Sequence, residues 1–451
     1  MSQLDTPSPD STMPSMRTQD VPRQDAFEER PSILSPHYRA TTIGLVSLVA
    51  LIAFEALAVA TVMPTVAQAL DGLPLYALAF GVTLAASVIG MTVAGRWSDM
   101  RGPASPLWVG LTCFLFGLML AGCAQNMSML LAGRLVQGLG GGGMSVALYV
   151  LVGRQYPEIM RPRLYAAFSA AWVVPSLVGP ALSGLIVEHI GWRWVFLAVP
   201  PLALPAAALL RPALRNLPAI AGDGTASRRR SLWAVGAATG VCLLYLGGQQ
   251  QGADAVAMLI PAMILSLTCT WRLLPQGTLS AARGLPSVIA LRGLVCAAFF
   301  GTEAFLPLLL SRERGLSPSM AGLVLSAGAL GWSAGSWYQG HRRNGWSRHR
   351  FLRVGTLGVC AGLALTVSAV SAAVPVPVAA LGWTVVGLGM GLISASLSML
   401  TLSMSAPGQQ GANGSALQLC EAVTVAAALA VGGSLFSALL TTSAQAAYLA
   451  N

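Results

Sequence analysis

The chain has 451 residues, of which 55% are apolar and 9% are charged, with a formal net charge of +10. A soluble domain carries about 25% charged residues. A soluble enzyme, a disordered protein and a collagen-like repeat are therefore excluded, and the basic excess reports membrane topology, not nucleic acid.

Residues 1–40 are rich in Ser, Pro, Asp and Gln and lack the apolar run of a signal peptide, so they read as a disordered cytoplasmic tail. Apolar segments near the ~20 residues needed to cross a bilayer then follow one another. A first bundle, 41–211, holds spans near 41–66, 75–95, 105–123, 128–152, 164–189 and 193–211. A basic cytoplasmic loop, 212–231, leads to an insert of two further spans, 232–249 and 254–274, within 232–274. A second bundle, 275–440, carries spans near 287–311, 318–340, 351–373, 376–404 and 412–440, and a short tail, 441–451, closes the sequence. Thirteen spans are thus expected. The forty residues from 412 give only about 60 Å of helix, enough for two ~30 Å crossings without a loop, so a sixth span of the second bundle is expected to be missing.

The charges support this order. Every one of the 26 basic residues is Arg; 21 of them fall on the tail and the even-numbered turns, and the alternate turns hold Arg193, Arg312 and Arg314. Basic residues collect in cytoplasmic loops, so the N-terminus is expected inside. The two bundles also echo one another. Phe54-Glu55-Ala56 followed by Pro64 resembles Thr302-Glu303-Ala304 followed by Pro307, and in each block a Gly-rich span and a basic loop come next. Parallel repeats of this kind suit a transporter with its site between the halves near the midplane.

Seven Cys lie in apolar stretches without CxxC spacing, and the four His lie in loops far apart, so neither a metal site nor a catalytic dyad is expected. The glycine runs 138–143 and 387–391 lack the Gly-Lys-Ser/Thr ending of a phosphate loop and read as helix-packing faces. No cofactor is expected, and an ion gradient is the energy source that remains.

Four motifs carry the chemistry. The loop after the second span reads Gly95-Arg96-Trp97-Ser98-Asp99-Met100-Arg101-Gly102. Span four carries Arg134-Leu-Val-Gln137-Gly138, an arginine that costs ~2.5–3.5 kcal/mol to insert and must face a cavity or a carboxylate. Span five carries Pro175-Ser-Leu-Val-Gly179-Pro180-Ala-Leu-Ser183-Gly184, where small residues allow tight packing and prolines bend the helix. Of sixteen acidic residues, only Glu55, Glu303 and Glu421 sit well inside spans, where a carboxyl can take and release a proton. Arg292 lies eleven residues before Glu303, about 16 Å along a helix, too far for a direct pair, and reads as an arginine reaching for the interface.

Together these stretches resemble the major facilitator superfamily. The loop is similar to its Gly-x-x-x-Asp-Arg-x-Gly gating signature, with Met100 in place of the usual arginine and Arg101 beside it. The span-four stretch resembles the family's Arg-x-x-Gln-Gly pattern, whose arginine the resemblance assigns to proton coupling. Span five resembles the antiporter signature Gly-x-x-x-Gly-Pro-x-x-Gly-Gly, with Pro175 and Ser183 in place of glycines. Glu55 stands nine residues before Pro64, where the fourteen-span drug:proton antiporters have an Asp before a Pro. Gly191-Trp192-Arg193-Trp194 and the central hairpin also resemble that subfamily.

The resemblance implies an all-α polytopic bundle of two pseudo-repeated six-helix halves with an extra central hairpin, monomeric in a bacterial cytoplasmic membrane. It implies proton-coupled efflux of a hydrophobic or cationic small molecule. Glu55, Glu303, Glu421, Arg134 and Gln137 would serve coupling and the cavity. Gly95, Asp99, Arg101 and Gly102 would serve the gate, and Pro175, Gly179, Pro180 and Gly184 the conformational cycle. Proton:metabolite symport and a truncated, non-transporting membrane protein are the alternatives.

Overall fold

The computed structural model describes residues 32–157, 160–215, 225–248, 253–341, 346–405 and 410–440. Most of the expected N-terminal tail, part of the basic loop and the final tail lie outside them. Among the described residues the chain is helical throughout and contains no strand.

The first half holds α1 (Arg39–Ala69), α2 (Tyr76–Arg101), α3 (Ala104–Gly122), α4 (Met127–Gln155) and α5 (Arg161–His189). The expected sixth span is broken into α6 (Arg193–Leu197) and α7 (Val199–Arg215). The central pair is α8 (Thr225–Gly248) and α9 (Ala253–Leu273). The second half holds α10 (Leu285–Leu308), α11 (Pro318–His341), α12 (Arg348–Ser368), α13 (Val376–Met404) and α14 (Gln410–Leu440). Each of the thirteen expected segments coincides with helix, but among the described residues eleven helices are long and apolar enough to cross a membrane. The apolar part of α8 is limited to Leu232–Gly247, and the glycines and serines of α11 dilute its hydropathy. The protein is a multi-pass membrane protein.

Helix ends follow local chemistry. Asn126 accepts the Met129 N–H and caps α4, and Ser347 caps α12 by accepting the Arg350 N–H. α2 stops at Gly102, whose φ of +82° leaves the helical region at a position any Cβ would strain.

The two halves pair their helices in the same way. α1 packs on α5, α2 on α4 and α3 on α4; likewise α10 packs on α14, α11 on α13 and α12 on α13. Glycines make these contacts possible by letting backbones meet, as lipid supplies no hydrophobic drive between helices. A Cβ on Gly138 would stand 2.3 Å from the Thr83 carbonyl oxygen, and one on Gly387 would stand 1.9 Å from that of Gly328. The glycine runs are therefore packing faces, as their sequence suggests.

The halves meet along two seams, α5 with α11 and α2 with α14. Their direct contacts cluster at the ends away from the arginine-rich turns. Gly184 backs onto Ser319 and Gly322 onto Pro180. The Ser319 N–H donates to Glu188 at 2.9 Å, and the Tyr76 hydroxyl donates to the Ala304 carbonyl at 2.5 Å. The central pair packs on itself, with α8 against both α2 and α14; the Tyr245 hydroxyl donates to the Pro74 carbonyl.

Candidate functional site

In the first half the structure brings Glu55, Arg134 and Gln137 together. Glu55 lies on α1 and the other two lie one turn apart on α4, so the span-four motif presents both side chains to one neighbour. One terminal nitrogen of Arg134 donates to Glu55 Oε1 at 2.6 Å and to Gln137 Oε1 at 2.9 Å. Arg134 Nε donates to the Ala79 carbonyl of α2 at 3.1 Å. The Thr83 hydroxyl donates in turn to the Arg134 carbonyl at 3.2 Å, tying α2 to α4. All three members of the triad are buried, with exposures of 4%, 4% and 1%. A charge so buried is tolerable only when paired and hydrogen-bonded. Among the described residues Gln137 Nε2 has no hydrogen-bond partner, which leaves one buried donor beside the ion pair.

The second half is built differently. Arg292 does not reach for an interface; it pairs with Glu421 of α14, its Nε and one terminal nitrogen each 2.8 Å from Oε2. This corrects the reading of Arg292 from helix spacing alone, because the partner lies 129 residues away and spacing along one helix cannot reveal it. The pair is half-buried, with side chains 16% and 23% exposed. Glu303, also half-buried, receives no hydrogen bond or ion pair among the described residues. Glu303 sits beside Ala304, whose carbonyl holds Tyr76 of the opposite half.

The repeat explains the lone carboxylate. Arg134 stands four residues before Gly138 and eight before Gly142; Trp383 has the same relation to Gly387 and Gly391. These glycines make matching backbone contacts with α2 and α11. Trp383 thus occupies the place of Arg134. It is fully buried and stacks on Phe299 of α10, with centroids 4.8 Å apart at 20°. The second half fills with aromatic surface the position where the first holds an ion pair. The sequence carried a signal for this, the Gly-x-x-x-Gly spacing after Arg134 and Trp383.

The gating-loop residues lie at the end of α2 and its exit. Gly102 closes the helix by donating its N–H to the Ser98 carbonyl at 2.9 Å. Arg154, at the end of α4, donates to the same carbonyl at 3.2 Å and grips this end of α2. Gly95 meets Val146 of α4, and Arg101 is exposed. The side chain of Asp99 lies outside the described residues. The span-five residues sit on α5, which continues through Pro175 and Pro180. Gly179 faces Phe54 beside Glu55, while Pro180 and Gly184 form the seam with α11. The motif therefore joins the triad's helix to the opposite half.

Among the described residues no group of His, Cys, Asp and Glu is placed to hold a metal ion. The family model described as the Major Facilitator Superfamily matches residues 43–442. Relatives include an acurin A biosynthesis cluster MFS-type transporter of Aspergillus aculeatus, 28% identical over 60% of this chain and 46% of that protein. A probable multidrug-efflux transporter of Mycobacterium tuberculosis is 27% identical over 67% of this chain and 66% of its own length. Multidrug resistance protein 3 of Bacillus subtilis is 31% identical over 34% of this chain and 30% of its own. The matched region spans about half the length of the fungal relatives, 46% and 50%. In fold, the chain is similar to a bacterial homologue of the human lysosomal transporter Spinster in an inward-facing, unoccupied conformation. The TM-score is 0.64 at 15% identity, covering 90% and 84% of the two chains. It is also similar to a D-xylose–proton symporter, with a TM-score of 0.62 at 14% identity over 88% and 90%. The chain belongs to the major facilitator superfamily.

Proposed function

We propose that the protein is a secondary active transporter that exports hydrophobic or cationic small molecules in exchange for protons, in a bacterial cytoplasmic membrane with the N-terminus inside. The observation that carries this reading is the buried Glu55–Arg134–Gln137 triad between α1 and α4. Arg134 and a proton compete for the Glu55 carboxylate. In the paired arrangement Glu55 is ionised; when it takes a proton the guanidinium is released. Gln137 Oε1 and the Ala79 carbonyl then keep Arg134 hydrogen-bonded, so its charge is not stranded in a low-dielectric interior. The contact of Gly179 with Phe54 connects that event to α5 and thus to the seam with α11.

Glu303 is the substrate-cation group in this scheme. Its repeat-related partner position holds Trp383, so no fixed guanidinium neutralises it, and a cationic solute can. Glu421 is occupied by Arg292 and serves a structural or secondary coupling role. Pro175, Gly179, Pro180 and Gly184 form the compliant element, and Gly95, Asp99, Arg101 and Gly102 the gate. Efflux is favoured over import by the span-five motif and by relatives named for multidrug efflux.

Energised inside-out vesicles test this. Glu55→Gln should abolish proton-linked transport while the protein remains in the membrane at wild-type level, and undiminished transport would refute the scheme. Glu303→Gln should lose cationic substrates by at least about tenfold while neutral ones are still moved. Substrate-dependent uptake by whole energised cells would instead establish symport.

A further inference from the structure

The lipid-facing side of the first half carries a feature that the transport scheme does not use. The C-terminal end of α7 bears Arg211 and Arg215, one turn apart and both exposed. Among the described residues neither has a hydrogen-bond or ion-pair partner. Both line a cavity of about 610 Å³ between the start of α3 and the end of α7, whose apolar walls include Ala104, Trp108, Leu204 and Ala208. Ala104 of α3 and Ala207 and Ala208 of α7 contribute small side chains to its lining, and Pro205 and Pro212 interrupt the hydrogen-bond ladder of α7.

The lining is ordered along the helix. Leu204 and Ala208 form the deeper, apolar end, and the two guanidinium groups form the end on the arginine-rich side. From Leu204 to Arg215 the helix rises about 16 Å, the depth of a headgroup and the upper part of an acyl chain. Guanidinium groups bind phosphate through paired N–H donors, and Trp108 has the amphipathic character favoured at a membrane interface. A free anion has no use for the apolar end, and a hydrophobic cation is repelled by the arginines. We propose that this groove binds one anionic phospholipid, its phosphate between Arg211 and Arg215 and an acyl chain along Leu204 and Ala208. Basic hollows between helices on the cytoplasmic side of a membrane protein suit such headgroups, and the orientation proposed above puts this groove on that side.

The full chain in mild detergent, titrated by native mass spectrometry with phosphatidylglycerol or chain-matched phosphatidylcholine, tests the proposal. Phosphatidylglycerol should occupy the tightest site at least about tenfold more strongly than phosphatidylcholine. The Arg211→Gln/Arg215→Gln variant should weaken phosphatidylglycerol at least about fivefold and leave phosphatidylcholine unchanged. Arg211→Lys/Arg215→Lys, which keeps the charge, should retain a preference for the anionic lipid. Equal binding of the two lipids, or an unaltered site in the glutamine variant, would overturn the proposal. So would displacement of phosphatidylglycerol by millimolar glycerol 3-phosphate, which would mark a site for soluble anions. Wild-type elution on size exclusion confirms that each variant is folded.

Discussion

The two halves use the same glycine-rich scaffold and place opposite chemistry in it. Four residues before the first packing glycine, α4 puts Arg134, bound to Glu55 on α1; α13 puts Trp383, stacked on Phe299 of α10. The first arrangement holds two opposite charges in a buried site and is stable only while both are present. The second buries aromatic surface and is indifferent to protonation. Backbone architecture can thus be repeated while one repeated position carries an ion pair in one half and an aromatic stack in the other. Among the described residues, Glu303 is left as the carboxylate of the other half without an internal counter-charge.

Changes at these positions should expose the difference. Arg134→Leu strands the Glu55 carboxylate and should lower stability by ~3–5 kcal/mol, read from thermal unfolding in detergent. Adding Glu55→Leu should restore most of that loss, whereas an equal or larger loss in the double variant would show that the pair is not the source. Trp383→Ala should cost a comparable ~3–5 kcal/mol through its cavity, but no second substitution at Phe299 should restore it. That contrast separates an ion pair from a packed stack. Gly138→Ala and Gly387→Ala should each cost ~1–3 kcal/mol by overpacking, with similar values because the scaffold is shared. Arg292→Gln should have a smaller effect than Arg134→Leu, since its pair is less deeply buried, with side chains 16% and 23% exposed against 5% and 6% for the triad's pair. A loss as large as that of Arg134→Leu would place the Arg292–Glu421 pair in the same class as the triad.

Much of the fold was legible in the sequence because a bilayer leaves few choices. Apolar run length located the helices, and the skew of arginines gave a consistent side. α8 and α11 were harder, because span assignment relies on mean hydropathy and both are diluted, α8 at its basic start and α11 by glycine and serine. The triad was legible as separate residues, since a mid-span arginine and a mid-span glutamate each demand a partner, but their mutual contact needed the helix packing. The Arg292–Glu421 pair was not legible. Its members lie on α10 and α14, and only the packing of those helices brings them together. The break between α6 and α7 was also missed, although Pro200 and Pro201, which sit in the first turn of α7, mark it in the sequence.

The central pair has a consequence for traffic within the plane of the bilayer. α8 lies against both α2 and α14, so it roofs the seam between them. At the other seam, α5 turns Trp172, Val174, Leu177 and Leu185 outward, and α11 turns Leu323, Leu330 and Trp337 outward, all of them exposed. A compound dissolved among acyl chains therefore encounters two unlike flanks: one covered by an added helix, the other walled by exposed apolar side chains of α5 and α11. The two flanks of the bundle thus offer the surrounding lipid different surfaces.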